Sequence, residues 1–96
     1  MANLHVLRSV YDIVTNLPNE DEHKISQCIL ILESGSIEGL VIKTLRNEIK
    51  EIVVKKYRLI FFNKNDTTYL VDIFRKQSRK TPVRIIDRAE KIYNLI

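Results

Sequence analysis

Apolar residues recur along this chain in two rhythms, helical over the first third and again at the end, extended in between. Val10, Ile13, Val14 and Leu17 fall at helical spacing. Pro18 ends that run, because it lacks the N–H a helix needs and restricts the residue before it. Asn19 then offers an N-cap, with Glu22 three residues on in the capping-box position. Ile25, Cys28, Ile29 and Leu32 share one face of the helix that follows, which is expected to run to about Glu33. Ser34-Gly35-Ser36 stops it, with Gly35 as the left-handed C-cap. So short a break between two helices predicts an antiparallel helical hairpin. Ahead of it, residues 3–7 alternate weakly and read either as a short first strand or as the start of the first helix.

Residues 37–47 are ambiguous, a loop or a short helical turn. From Glu48 the rhythm becomes extended: Glu48–Val54, Tyr57–Asn63 and Thr67–Arg75 are rich in Ile, Val, Phe, Tyr and Thr. With turns at Lys55-Lys56 and at 63–66, these predict three antiparallel strands in a meander. In the third strand Tyr69, Val71 and Ile73 form the unbroken apolar set, so that face is expected to be buried. The chain closes with a helix from Pro82 to about Asn94, with Thr81 as N-cap and Pro82 in the first helical position. Ile85, Ile86, Ala89, Ile92 and Tyr93 make its apolar stripe, and Arg84, Arg88 and Lys91 lie on a neighbouring face. The predicted order is (β)ααβββα, a single α+β domain over residues 1–96, with an antiparallel meander sheet packed against helices on one side.

Composition narrows the class. At 96 residues and 45% apolar, the chain is a globular domain able to bury roughly 60–65% of its unfolded surface. One cysteine, Cys28, allows no internal disulfide and suits a reducing compartment. No apolar run reaches the roughly 18 residues of a membrane span, and no signal pattern opens the chain. A cytoplasmic protein without a membrane role is expected. Charge is unevenly spread beneath a net +4: residues 1–48 carry 4 Lys or Arg against 7 Asp or Glu, and residues 49–96 carry 12 against 5. A polarised surface of that kind draws polyanions.

Much chemistry is set aside by what the sequence lacks. Gly35 and Gly39 stand alone, so there is no glycine-rich phosphate loop. His5, His23 and Cys28 are scattered, so no metal-ligand spacing appears, and no cofactor is expected. What remains is cationic. Phe74–Pro82 holds Arg75, Lys76, Arg79 and Lys80 with no acid, between a predicted strand and a predicted helix. Arg58 interrupts an otherwise apolar strand and admits two readings. It pairs with Asp72 of the neighbouring strand, or it faces a groove shared with Lys55, Lys56, Arg75 and Lys76, where cations would stabilise the charge of a phosphoryl-transfer transition state. No general base is evident.

These residues carry a resemblance. Leu45, Glu51-Ile52, Tyr57-Arg58-Leu59 and the segment Phe74-Arg75-Lys76-Gln77-Ser78-Arg79-Lys80-Thr81-Pro82, with Ala89 beyond it, resemble the phage-derived branch of the RelE/HigB toxin family, as does Asn16-Leu17-Pro18. Two positions depart from that pattern: Val53 stands where the branch often has Arg, and Tyr93 lies too near the C-terminus to match the family's acid–base Tyr. The resemblance implies an mRNA interferase of a type II toxin–antitoxin system, acting on mRNA in the ribosome by 2′-hydroxyl attack without metal. It further implies Arg58 and Lys76 at the scissile phosphate, and Lys55, Lys56, Arg75, Arg79, Lys80 and Arg84 as RNA contacts. The implied partner is an antitoxin of helix-turn-helix type. The alternative is a non-catalytic relative that only binds nucleic acid or regulates.

Overall fold

The computed structural model describes residues 3–96. Strand β1 (Asn3–Val6) leads into helices α1 (Arg8–Thr15) and α2 (Asn19–Ser34), then a 3-10 turn at Ile37–Gly39. Strands β2 (Val41–Arg46), β3 (Ile49–Val54), β4 (Tyr57–Lys64) and β5 (Thr67–Arg75) follow, and helix α3 (Val83–Leu95) closes the chain. The sheet has five strands in the order β1-β5-β4-β3-β2, antiparallel except for β1, which runs parallel to β5. The meander is as predicted, with one strand more. Residues 41–46, ambiguous in sequence, form the edge strand β2, where a register shift between Thr44 and Arg46 breaks the alternation that would have announced it. No helix among the described residues is long and apolar enough to cross a membrane.

Helices cover both faces of the sheet, not one. Val10, Val14, Ile25, Cys28 and Leu32 of α1 and α2 pack on Ile52, Tyr57, Leu59, Phe61, Leu70 and Ile73. On the other face, Ile85 and Ala89 of α3 pack on Ile49, Ile60, Phe62 and Val71. The central strand β4 is therefore apolar on both sides: Leu59, Ile60, Phe61 and Phe62 are each at most 2% exposed. Burial pushes the Cys28 thiol up to about 11, leaving it an unreactive core side chain.

The expected buried set Tyr69, Val71 and Ile73 is divided between the faces. β4 and β5 pair in register from Tyr57↔Arg75 to Ile60↔Asp72, then shift to Phe61↔Leu70, so Val71 is an extra residue. A bulge resets the parity of the strand. Leu70 and Ile73 consequently share the α1/α2 face, while Tyr69, Val71 and Phe74 belong to the α3 side. Asp72, opposite Ile60, is turned to the α3 side as well.

Two predicted caps are used differently. No side chain caps α2, which begins at Asn19 behind Pro18, and the Glu22 carboxylate accepts from the Ser26 hydroxyl instead of reaching back. Pro82 stands at the N-cap of α3, its carbonyl accepting from the N–H groups of Ile85 and Ile86. Thr81 is buried, and its hydroxyl donates to the carboxylate of Glu51 on β3. That carboxylate, on a side chain only 2% exposed, also lies 4.0 Å from Nε of Arg58. The charge partner of Arg58 is thus Glu51, not Asp72, across a gap too long for a hydrogen bond, and its buried Nε donates to no atom of the described residues. The Arg58 Nη1 donates to the carbonyls of Lys55 (2.9 Å) and Tyr57 (2.8 Å), which ties the guanidinium to the β3–β4 turn. Lys55 has the left-handed φ of 53°, unfavourable for a residue with a side chain, and this bond helps hold it there.

Removing either partner of Glu51 should therefore cost stability. Arg58→Ala is expected to lose about 3–5 kcal/mol by stranding a buried carboxylate, and Thr81→Val about 1–3 kcal/mol by removing a buried donor. Urea unfolding measures both; an unchanged midpoint for Arg58→Ala would show that Glu51 does not need it.

Candidate nucleic-acid interface

One end of the sheet collects the cations. The β3–β4 turn presents Lys55 and Lys56, and β5 ends beside it, its pairing with β4 reaching Tyr57↔Arg75. The ladder continues one step further, where the Lys76 N–H donates to the Lys56 carbonyl at 2.8 Å. The chain then leaves the sheet through an exposed loop carrying Arg79 and Lys80, and returns at buried Thr81. The Ser78 hydroxyl, donating to the Lys80 carbonyl at 2.8 Å, tightens the loop. Thr81 and Pro82 thus anchor a cation-rich loop between β5 and α3, and the anchor is the buried Glu51.

Beside this loop is a groove of about 810 Å³ between the end of β5 and the first turns of α3. It forms because β1 pairs with β5 only as far as Leu70, leaving the later part of β5 without a neighbour on that edge. Asp72, Phe74, Arg75 and Gln77 line it from β5 and the loop, and Arg84 and Arg88 from α3. Among the described residues neither Arg84 nor Arg88 makes an ion pair, because the acids of α3 point elsewhere. Arg46 of β2 engages Asp87 at 2.7 Å and Glu90 at 3.3 Å, and the hydrogen bond to Asp87, with the charge of both acids, raises its guanidinium above its ordinary value. Lys64 ties down the far end of the helix, donating to the Tyr93 carbonyl at 2.6 Å and lying 4.3 Å from the ring centre. The Asp72 carboxylate accepts only from the N–H of Ile73, at 2.9 Å. Burial holds it above the usual carboxylate range, against the opposing pull of Arg88 and Arg84.

The other side of the same rim is partly neutralised. Asp21 of α2 accepts from the Tyr57 hydroxyl at 2.7 Å and sits 3.4 Å from Lys56 Nζ. The Tyr57 hydrogen bond, with help from Lys56 and Lys55, holds the Asp21 carboxyl below its ordinary value, and Asp21 in turn raises the Tyr57 phenol. Lys24, one turn further along α2, is crowded by Lys55, which lowers its ammonium pKa. Two adjacent ammonium groups repel, and an anion between them relieves the repulsion.

The expected site residues are thus divided. Arg75 and Arg84 meet in the groove, Lys55, Lys56 and Lys76 sit on the adjoining rim, and Arg79 and Lys80 ride the exposed loop. Arg58 lies beneath them, tied to Glu51 and the turn. Sequence reasoning left three residues out of the site: Arg88, Lys24 and Asp72. Arg88 was legible as the i+4 partner of Arg84. Lys24 is brought in by the hairpin docking on β3, and Asp72 by the bulge at Val71, neither of which local pattern discloses.

Comparison with known proteins agrees with this architecture. No curated protein matches. A chain of the RelB-RelE antitoxin-toxin complex from Methanococcus jannaschii superposes with a TM-score of 0.57 at 17% identity, over 73% of this chain and 87% of that one. At that identity the likeness establishes the fold, which is RelE-like. The family of phage-derived proteins described as Gp49-like (DUF891) matches residues 12–94, from within α1 to the end of α3. The chain therefore belongs to the phage-derived Gp49-like family.

Proposed function

We propose that this protein is the toxin of a type II toxin–antitoxin pair, an endoribonuclease that cuts mRNA on the ribosome by attack of a ribose 2′-hydroxyl on the adjacent phosphate. The observation that carries this reading is the groove at the open edge of β5, lined by Arg75, Arg84 and Arg88 beside the Arg79–Lys80 loop, with none of the three in an ion pair among the described residues. Cations fixed by a folded frame stabilise the extra charge of a pentacoordinate phosphate without having to reorganise. The 2′-hydroxyl requirement makes RNA, not DNA, the substrate. The RelE-like fold and the toxin–antitoxin complex in which its structural relative was solved support the same reading.

In this reading Arg84 and Arg88 from the groove, with Arg75 and Lys76 at its rim, meet the scissile phosphate, and Arg79, Lys80, Lys55 and Lys56 contact RNA further out. Arg58 acts from below, as a positioning residue that fixes the Lys55–Lys56 turn and, through Glu51, the loop anchored by Thr81. The partner is an antitoxin, of helix-turn-helix type, whose acidic segment would cover the cationic rim by charge complementarity. The cytoplasm is where such a pair would work. A non-catalytic RNA-binding relative is the second reading, favoured by Val53, which leaves β3 without a cation facing Arg58.

Two outcomes are expected. Expressed without a partner in bacteria, the protein should arrest growth and create new 5′ ends within translated messages, and Lys76→Ala should lose both effects while melting within a few degrees of wild type. Continued growth with no new ends would leave the binding reading. In solution, affinity for single-stranded RNA should fall steeply with salt. Replacing Arg75, Arg84 and Arg88 together should reduce the log–log slope by about 2 units, at about 0.7 per phosphate contact. A slope unchanged in the triple variant would remove the groove from the interface.

A further inference from the structure

The groove holds a carboxylate as well as arginines, and the two do not touch. Asp72 lines the groove from β5, facing Arg84 and Arg88 of α3, with Arg75 at its rim, yet no ion pair links it to any of them within 4.0 Å. Among the described residues its one hydrogen bond is from the N–H of the next residue, which leaves most of its acceptor capacity free. A carboxylate among guanidiniums normally closes onto one of them. Here strand β5 holds it apart, with the bulge at Val71 fixing its direction, and the space between is part of a groove of about 810 Å³. That gap suits a group with a proton to give on one side and a phosphate on the other.

We propose that Asp72 is the general base of the cleavage: it takes the proton of the attacking ribose 2′-hydroxyl while Arg75, Arg84 and Arg88 hold the adjacent phosphate. The assignment rests on the endoribonuclease reading and supplies the base that the sequence alone did not reveal. The 2′-oxygen forms a bond to phosphorus as its proton passes to Asp72. The bond from phosphorus to the 5′-oxygen breaks, and that oxygen takes a proton from groove water. Asp72 then returns its proton to the resulting hydroxide. The products are a 2′,3′-cyclic phosphate and a 5′-hydroxyl, with no net gain or loss of protons. The groups that face Asp72 set its strength. Burial opposes ionisation, the Ile73 N–H and Arg88 and Arg84 of α3 favour the carboxylate, and Arg58 on β4 is turned away to Glu51 on β3. Burial raises its basicity towards what proton transfer requires, and the arginines keep it from staying protonated at neutral pH.

The test is single-turnover cleavage of an mRNA positioned in ribosomes, by wild type, Asp72→Asn and Asp72→Glu. Asparagine keeps the acceptor for the Ile73 N–H, so the fold is retained. Asp72→Asn should lose about 10²–10⁴-fold in rate, bind RNA as tightly as wild type or tighter, and melt within a few degrees of it. Wild-type rate should climb with pH as Asp72 deprotonates, and that limb should vanish in Asp72→Asn. Asp72→Glu should recover part of the rate. A substrate with sulfur in place of the leaving 5′-oxygen should not rescue Asp72→Asn, since that defect lies in attack and not in departure. Equal rates for wild type and Asp72→Asn would overturn the assignment alone. Rescue by the sulfur substrate would make Asp72 the acid, and restored rate on a different nucleotide would make it a base-reading group; either overturns the proposal. If wild type itself cuts nothing while binding RNA, the endoribonuclease reading falls first and takes this one with it.

Discussion

A carboxylate removed from water must find partners inside the protein, and the partners chosen by Glu51 organise everything around the candidate site. One is the Thr81 hydroxyl, which pulls the end of a cation-rich loop onto the sheet; the other is Arg58, on the neighbouring strand. Without the first, the segment after β5 has no fixed return point, and α3 would begin at an undefined place. Without the second, the strained turn at Lys55 loses a bond to its carbonyl. Two consecutive strands and the distant loop that leads into α3 are tied through one side chain. Such a tie is costly when half made, since desolvation of the carboxylate is compensated only while both partners are present. Because its two partners share it, their removal is not expected to add simply.

The second constraint is the double-sided sheet. β4 is apolar on both faces, so it cannot stand at a surface, and a helix is needed on each side. The hairpin of α1 and α2 covers one face, and α3 covers the other. That arrangement frees one edge of β5 beyond Leu70, because β1 is only four residues long. The groove is the consequence: a helix crossing above an unpaired strand edge leaves a cleft, and the side chains along it come from both. Function is thus set by where coverage stops and not by any dedicated loop insertion.

How much of this was legible in the sequence follows from which signals are local. The helical stripes of α2 and α3, the Gly35 stop, and the Asn65-Asp66 turn, both of whose residues adopt left-handed φ, could be read directly. The run Leu59-Ile60-Phe61-Phe62 was itself the mark of a strand buried on two faces, and reading helices on only one side overlooked it. β2 was hidden because an edge strand needs little apolar surface, and its bulge blurs what alternation remains. The caps failed for one reason: Asn19 and Thr81 have the side chains a helix start favours, but tertiary partners or a preceding proline took the position. Asp72 was read as facing away from Val71, and only the register shift opposite Ile60 turns both towards α3. The cationic segment was legible as chemistry, but its division into groove, rim and loop depends on long-range pairing.

Charge is apportioned to match. Apart from Asp72, the acids nearest the cations are engaged by other residues: Asp21 with Tyr57 and Lys56, Asp87 and Glu90 with Arg46, Glu51 with Thr81 and Arg58. The exposed pairs, those of Asp21 and of Arg46, contribute little to stability, typically about 0–1 kcal/mol each, so their larger consequence is to decide which cations are left over. On α3 the outcome is sharp, because the acids face β2 and the arginines face the groove, so the helix presents positive charge in one direction only. In the proposed reaction, phosphate binding and proton transfer then fall to different elements, the arginines of α3 and a carboxylate on β5. A helix fixed by Arg46 and Lys64 holds the first group still while the strand holds the second, and a gap kept open between opposite charges needs that rigidity. Were either element free to move, Asp72 and Arg84 or Arg88 would close into an ion pair and the groove would lose both its base and part of its phosphate site.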